Sequence, residues 1–421
     1  MTKNNLLYYL TYLFVISLFT YLFYLSTKYV INYWTFSQAH INYSDGFVKR
    51  GLFGTVALFL EKNLNIKFIY SFNFFFIIFY SANIILFFLI LKKYIIFKFI
   101  FLFLALSPTL ILFGFNDLGG YQRFDAISIF IILLHTLCVS LYRSKKINFE
   151  SYKTKFKFLI FPLVGISLFI HEIQMWSIPF HFFLIYMIYK ERNENLINIL
   201  ILFFILFILS LVVFVFPSDQ ESILSMYNKL SNKEDLWKVP IIAASSSKGN
   251  LDIVIIELQK NLLNLYNLKI NIFFLFLSVI PINLLMYFFN IKKFILIKEK
   301  NIFLYFYLAL IPYLAFFAIG DTGRWIHLVS ITSFAFFSQY PVNQIAEPKD
   351  YFKINFSNIF IIIILIVYSF FIRMPHGGNY EEKNIGIWGG INKKFIALYN
   401  VYFSKKLEDD FNLNKRFKRT K

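Results

Sequence analysis

Four polar clusters interrupt the long apolar runs of this chain, and each combines a cation or an imidazole with a carboxylate. They are Ser44-Asp45-Gly46-Phe47-Val48-Lys49-Arg50-Gly51, Arg123-Phe124-Asp125, His171-Glu172, and Asp321-Thr322-Gly323-Arg324-Trp325 with His327 close behind. Arginine and lysine bind phosphate strongly, while carboxylates and imidazoles take up or donate protons. These residue types suit a site where a phosphate is held while a proton moves.

Asp45 lies shortly before Lys49 and Arg50 in the first cluster. A carboxylate beside two cations stays ionised while the cations hold a phosphate. We therefore predict that Asp45 acts as a general base, or binds a divalent metal, facing a polyanionic lipid headgroup. The alternative is a solvated loop whose Lys49 and Arg50 contact the phosphates of ordinary lipids.

The second and third clusters each leave two interpretations open. Arg123 and Asp125 begin a predicted helix, where they would contact substrate or pair with each other as a structural bridge. His171 and Glu172 end another predicted helix. They would orient an acceptor hydroxyl or protonate a leaving group, or else form a buried hydrogen-bonded turn.

The fourth cluster is the most compact. Arg324 at the start of a helix offers two donors beside the positive end of the helix dipole, which favours an anion. Trp325 fits an interfacial aromatic belt or a platform for stacking a sugar. The predicted catalytic residues are Asp45, His171 and Glu172. The predicted phosphate- or sugar-binding residues are Lys49, Arg50, Arg123, Asp125, Asp321, Arg324, Trp325 and His327.

The elements that position these clusters follow from the composition. The 421 residues are 58% apolar and include 58 Phe and 28 Tyr. Repeated continuous apolar runs of roughly 18 residues or more predict membrane-spanning helices rather than a barrel. We predict an all-α polytopic membrane protein with about eleven spans, at 6–27, 67–91, 95–114, 124–142, 157–172, 175–190, 196–216, 270–291, 302–319, 325–341 and 357–373.

Basic residues set the predicted orientation. Lys and Arg collect in alternate short loops, which places those loops and the N-terminus in the cytoplasm and the four clusters on the outer side. The net charge of +19 is then explained by span ends and anionic lipid, and no nucleic-acid partner is predicted. The chain has one cysteine, Cys138, and no nucleotide-binding loop or zinc-protease motif.

The domain organisation is a single transmembrane domain over residues 1–421. Within it we predict a first outer loop at 28–66, containing a short interfacial helix, and a larger outer loop at 217–269. A polar basic tail occupies 374–421.

The chain resembles bacterial O-antigen polymerases of the Wzy type and, more broadly, GT-C glycosyltransferases that use polyprenyl-linked donors. The resemblance rests on ten to twelve predicted spans, the extreme Phe, Ile and Leu content, Asp45 in the first outer loop, outer Arg and His residues, and a larger late outer loop. It implies an inner-membrane enzyme whose partners are a polyprenyl-linked sugar donor, a glycan acceptor and the lipid bilayer.

The resemblance also implies roles for individual residues. Asp45 would take the proton of the acceptor hydroxyl, Arg324 and Arg123 would stabilise the departing polyprenyl phosphate, and His171 with Glu172 would orient the acceptor. No cofactor is implied beyond the divalent metal considered at Asp45. Two other functions stay open: a flippase or transporter of lipid-linked oligosaccharide, and a membrane acyltransferase that modifies sugars. The oligomeric state is also open.

Overall fold

The computed structural model describes residues 33–94, 98–107, 109–113, 122–215, 220–230, 302–317 and 322–340, with a few positions between 12 and 24 and the single residues 236, 241 and 272. In these ranges every regular element is helical, which confirms the predicted all-helical class. The α-helices are α1 Tyr33–Ala39, α2 Gly51–Leu64, α3 Phe68–Leu91, α4 Lys98–Ala105, α5 Asp125–Arg143, α6 Phe149–Lys155, α7 Phe161–Ile170, α8 Ile178–Arg192, α9 Ile197–Val215, α10 Gln220–Asn228, α11 Ile302–Phe317 and α12 Thr322–Ser338.

Helix α3 shows how the sequence selects its buried face. Phe68, Phe72, Phe76 and Tyr80 recur every four residues, and all four are buried. Side chains at this spacing form one stripe along a helix. The opposite face is also apolar but exposed, with Phe74 as one example. A helix that is apolar on both its buried and exposed faces suits a lipid environment.

Two of the described helices are long and apolar enough to cross a membrane. Phe68–Tyr94, which is α3 extended by a 3₁₀ turn, has 27 residues and a mean hydropathy of 2.6. Asp125–Arg143, which is α5, has 19 residues and a mean hydropathy of 1.9. The two helices pack against each other, and α5 also packs against α12. Helix α5 is therefore central to the described bundle.

Other helices coincide with predicted spans, although not all at full length. Helices α8, α9, α11 and α12 match 175–190, 196–216, 302–319 and 325–341 within a few residues. The predicted span at 95–114 is wrong in its extent, because α4 ends at Ala105 and 109–112 form turns. The sequence Ser107-Pro108 disfavours helix at this point. The predicted spans 270–291 and 357–373 and the tail at 374–421 lie outside the described helices, as does most of 6–27.

The predicted span at 157–172 is the end of a longer composite helix. Helix α6 continues through a π-helical turn, Phe156–Ile160, into α7. Pro162 lies at the start of α7 and cannot donate a backbone hydrogen bond to the turn before it, which suits a π-helical turn there. Residues 171–177 then separate α7 from α8, with Glu172–Ser177 in 3₁₀ conformation.

The first predicted outer loop has its own helices. Helix α2 spans 14 residues, too short to cross a bilayer, and packs against α3 and α7. A Cβ atom at Gly54 would overlap the backbone carbonyl groups of Ile41 and Ala39, so glycine allows the preceding segment to lie directly on α2. A second small core joins this loop to α10 through residues that include Ile41, Val48, Ile223 and Met226.

Candidate functional site

Arg50 and Glu172 form an ion pair that connects the first loop to the turn after α7. Arg50 Nε donates to Glu172 Oε2 at 2.7 Å, and Nη2 donates to Oε1. The two side chains are 14% and 15% exposed. Arg50 precedes α2 in a left-handed backbone conformation, with φ of 62°. A non-glycine residue adopts this conformation only at some free-energy cost, so the bidentate pair holds a strained residue in place.

Arg324 and Asp125 form a second bidentate pair between the first turns of α12 and α5. Arg324 Nε donates to Asp125 Oδ2 and Nη2 donates to Oδ1, each at 2.7 Å. The side chains are 11% and 8% exposed. Asp125 is the first residue of α5, where the helix dipole also favours its negative charge. Two helices that pack along their length are thus also joined by charge at one end.

His171 lies between these two pairs. Its ring is within electrostatic range of Arg50, Glu172, Asp125 and Arg324. The backbone N–H of Ile173 donates to His171 Nδ1 at 3.2 Å, so the neutral ring carries its proton on Nε2. We call Arg50, Asp125, His171, Glu172 and Arg324 the paired-charge cluster. Three separate sequence clusters and the turn at 171–177 therefore meet at one place.

A buried hydrogen bond supports the turn that carries His171 and Glu172. Ser128 Oγ, one turn into α5, donates to Gln174 Oε1 at 2.6 Å. Both side chains are buried, and the bond fixes the turn to the same helix that begins with Asp125. Sequence reasoning did not single out either residue. The sequence offered one signal for this hydrogen bond, because Ser128 and Gln174 are polar residues within apolar segments.

Asp45 does not share a described hydrogen bond or ion pair with the paired-charge cluster. It forms an ion pair with Lys229 just after α10, and Ser44 Oγ donates to Asp45 Oδ2 at 3.0 Å. The hydrogen bond from Lys229 lowers the pKa of Asp45 below its ordinary value, so the carboxylate is ionised at neutral pH. Lys229 lies in the second predicted outer loop, and nothing local in the sequence marks it as a partner.

Lys49 is 1% exposed, next to the Arg50–Glu172 pair. Burial lowers the pKa of its ammonium group, the attraction of Glu172 opposes that change, and repulsion from Arg50 reinforces it. Glu172 therefore faces two cations from the same loop. The sequence analysis predicted Asp45 as the carboxylate beside Lys49 and Arg50, whereas in the structure Glu172 lies near these cations and Asp45 pairs with Lys229.

The remaining predicted residues have different surroundings. Asp125 pairs with Arg324, so the predicted local bridge between Arg123 and Asp125 is not the bidentate pair that forms. Trp325 is 7% exposed, and the centroids of its ring and the Tyr313 ring are 6.4 Å apart. This packing leaves little ring surface for a stacked sugar. His327 Nδ1 donates to the carbonyl oxygen of Thr109 at 2.9 Å. Asp321 lies outside the described residues.

Two apolar grooves meet where α2 contacts α7. One, of about 1020 Å³, runs between α2, α3 and α7, and its lining includes Leu52 and Ile170. These residues are close in sequence to Arg50 and Glu172. The other, of about 490 Å³, lies between the first loop, α7 and α9. Leu52 and Ile166 line both grooves, and Leu52 follows Arg50 by two residues.

Within the described ranges, no group of three or more His, Cys, Asp or Glu side chains is arranged to hold a metal ion. A divalent metal at Asp45 stays a prediction. The chain was also compared with known proteins. No protein-family model, curated protein or solved structure matches it.

Proposed function

We propose that this chain is a membrane glycosyltransferase of bacterial surface polysaccharide assembly. It would transfer a sugar from a polyprenyl phosphate or pyrophosphate donor to a glycan acceptor at the outer face of the inner membrane, with about eleven spans and a cytoplasmic N-terminus. The observation that carries the proposal is the paired-charge cluster, in which Arg50 precedes by two residues Leu52, a lining residue of both apolar grooves. This arrangement suits a ligand with a phosphate head and a long apolar chain.

The grooves support lipid-linked substrates in particular. An isoprenoid chain is apolar and flexible, and the larger groove is lined almost entirely by apolar side chains of α2, α3 and α7. Burial of such a chain contributes roughly 25 cal/mol for each Å² removed from water. A second groove on the α9 side shares Leu52 and Ile166 with the first. Two grooves would allow the donor and a lipid-linked acceptor to bind together, as polymerisation requires.

If the donor phosphate replaced Glu172 as the partner of Arg50, its binding would also make Glu172 a stronger base. In the structure Arg50 is engaged with Glu172. A phosphate that takes over the guanidinium would leave Glu172 without its bidentate partner, which raises the affinity of that carboxylate for a proton. Arg324, which is held by Asp125 in the structure, would act on the same phosphate. Fixed cations aimed at developing negative charge are usually the largest single catalytic contribution.

The acceptor hydroxyl oxygen forms a bond to the anomeric carbon of the donor, and the bond between that carbon and the phosphate oxygen breaks. The electron pair stays on the phosphate oxygen, next to Arg50 and Arg324, and the hydroxyl proton passes to a carboxylate. We assign this base to Glu172, because it lies beside Arg50, whereas Asp45 pairs with Lys229.

The test is a gel of surface glycan from a deletion strain that carries the wild-type gene or a variant. Arg50→Gln and Glu172→Gln should each reduce the rate by roughly 10²–10⁴-fold and collapse the ladder to core plus one unit. Lys153→Gln is the matched control, since it removes a cation from a solvent-exposed pair with Glu150. Protein abundance in the membrane fraction is measured for every strain.

The outcomes separate the assignments. If Asp45→Asn collapses the ladder and Glu172→Gln does not, the base is Asp45 and the partner-exchange step is wrong. If every band shifts by one sugar, the enzyme adds a side-chain sugar and does not polymerise. An unchanged ladder in the deletion strain contradicts a role in surface polysaccharide assembly altogether.

A flippase for the same lipid-linked sugars is the second candidate. The two ion pairs are largely buried between helices, and charges in this position also mark transport paths. The location of the accumulated intermediate separates the two functions. Loss of a flippase leaves lipid-linked units inside the cell, whereas loss of the proposed enzyme leaves single units outside.

A further inference from the structure

A basic pocket lies at the far end of α5 from the paired-charge cluster. It has a volume of about 380 Å³ and is formed by the end of α5, the start of α6 and the end of α8. Its polar lining consists of Tyr142, Arg143, Lys145, Asn148, Glu191 and Arg192. The 19 residues of α5 measure about 28 Å at 1.5 Å per residue, so the pocket is separate from the candidate site described above.

Three cations and one carboxylate line this pocket, and a second carboxylate, Glu194, lies within electrostatic range of Arg192. Arg143 Nη2 donates to Glu191 Oε1 at 2.6 Å, and Arg192 Nε donates to the hydroxyl oxygen of Tyr142 at 2.7 Å. Lys145 is exposed and makes no described ion pair. Glu191 and Glu194 cannot neutralise three cations, so the pocket keeps a positive charge that favours an anionic ligand.

Arg143 is the most buried cation of the three. Its side chain is 7% exposed, and its guanidinium lies over the Tyr340 ring, 4.2 Å from the centroid. Its Nε atom is buried and has no hydrogen-bond acceptor in the described structure. A buried donor without an acceptor destabilises the folded protein, and an oxygen-rich anion in the pocket would supply the missing acceptor.

Several of the last carbonyl groups of both helices already accept hydrogen bonds, which weakens their repulsion of such an anion. The N–H groups of Ser144 and Lys145 donate to carbonyl groups at the end of α5, and those of Asn193 and Glu194 do the same at the end of α8. The cationic side chains of the lining are then the groups that favour an anion. Guanidinium and ammonium groups together match the tetrahedral oxygens of a phosphate.

We propose that this pocket binds a phosphate group, and specifically the headgroup of an anionic phospholipid. The lipid source follows from its position at the end of a helix long enough to cross a membrane, on the side where the sequence collects its Lys and Arg residues. Basic pockets between helix ends on this side commonly hold anionic headgroups. The bound lipid fixes the ends of α5 and α8 relative to α6. The proposal does not depend on the proposed glycosyl transfer.

The experiment uses the full-length protein purified in a mild detergent. Native mass spectrometry measures binding of dioleoylphosphatidylglycerol and, separately, of dioleoylphosphatidylcholine, while thermal unfolding is followed with added inorganic phosphate. Lys145→Gln and Arg192→Gln each remove a cation, and Lys146→Gln is the control because that neighbour does not line the pocket. We expect each pocket variant to bind phosphatidylglycerol about fivefold more weakly, and the control to bind like wild type.

The result assigns or removes the site. Preferential binding of phosphatidylglycerol that weakens in both pocket variants supports the lipid headgroup. Stabilisation by inorganic phosphate alone, lost in the same variants, supports the phosphate site but moves its ligand to a free phosphate. Equal binding of both lipids, or equal binding by wild type and both variants with no response to phosphate, overturns the proposal. Surface glycan is measured in parallel, and its loss or retention bears only on the proposed enzyme.

Discussion

The Asp125–Arg324 pair allows a structural role and a catalytic role to be separated in one set of variants. The set consists of Asp125→Asn, Arg324→Gln and the double variant, all of which remove charge and keep a polar side chain. Both side chains are about nine-tenths buried and share two hydrogen bonds of 2.7 Å. Removing one partner leaves the other charge buried without its bidentate partner, which destabilises by about 3 kcal/mol.

The double variant should be much less destabilised than the sum of the two single variants. Neutral Asn and Gln leave no unpaired charge, so we expect a coupling free energy of about 2 kcal/mol. The measurement is the free energy of unfolding of the purified protein in mixed micelles, titrated with denaturant. Additive effects, with a coupling free energy below about 0.5 kcal/mol, would contradict the ion pair as described.

In the double variant we expect stability to recover in part while activity stays low. If Arg324 acts on the phosphate of the donor, Arg324→Gln and the double variant both lose roughly 10²–10³-fold in rate, even though the double variant is the more stable of the two. The surface glycan ladder reports this loss in the strains used to test the proposed function. A double variant that restores both stability and the ladder would show that Arg324 is structural and would remove it from the proposed mechanism.

Two further predictions test how the first loop is held. Gly54→Ala should destabilise the protein by about 1–3 kcal/mol, because the added methyl group overlaps the backbone of Ile41. Gly165→Ala in α7 should be neutral or stabilising, since the nearest atom to its methyl group is 3.8 Å away, an ordinary contact. Denaturant unfolding of the two variants measures the difference. The Asp45–Lys229 pair should stabilise the protein at pH 7 and lose that effect in acid. The folded-state pKa of Asp45 lies below its ordinary value of 3.8, so the stabilisation is present above that value and disappears as pH falls through the lowered pKa. Unfolding curves of wild type and Lys229→Gln should therefore differ at pH 7 and converge at low pH, and a constant difference across pH would contradict this assignment.

The helices could be predicted from sequence because they depend on local patterns. The four-residue spacing of Phe68, Phe72, Phe76 and Tyr80 defines one face of α3 without any knowledge of its neighbours. The break after Ala105 was missed because an apolar run on both sides hides the Ser107-Pro108 signal. Continuous hydrophobicity indicates an apolar environment, but it does not show where the backbone turns.

The pairing of charges could be predicted only in part. Sequence reasoning brought Arg50, Asp125, Glu172 and Arg324 to one face, and the structure places them within one cluster. Sequence reasoning could not assign the ion-pair partners. Arg123 is nearest to Asp125 along the chain, yet Asp125 pairs with Arg324, which is 199 positions away. Partner choice depends on how α5 packs against α12, which no local pattern encodes.

The resting ion pairs also bear on which phosphates the proposed site accepts. A ligand must displace carboxylates that already hold Arg50 and Arg324 through two hydrogen bonds each. A phosphodiester of an ordinary phospholipid carries one charge and offers little advantage over a carboxylate, whereas a polyprenyl pyrophosphate carries more charge and more acceptor oxygens for both arginines. The pairing therefore favours the more highly charged donor over the bulk lipid that surrounds the grooves. Selectivity of this kind comes from competition within the folded protein, and Glu172→Gln should weaken it by leaving Arg50 open to ordinary phospholipid.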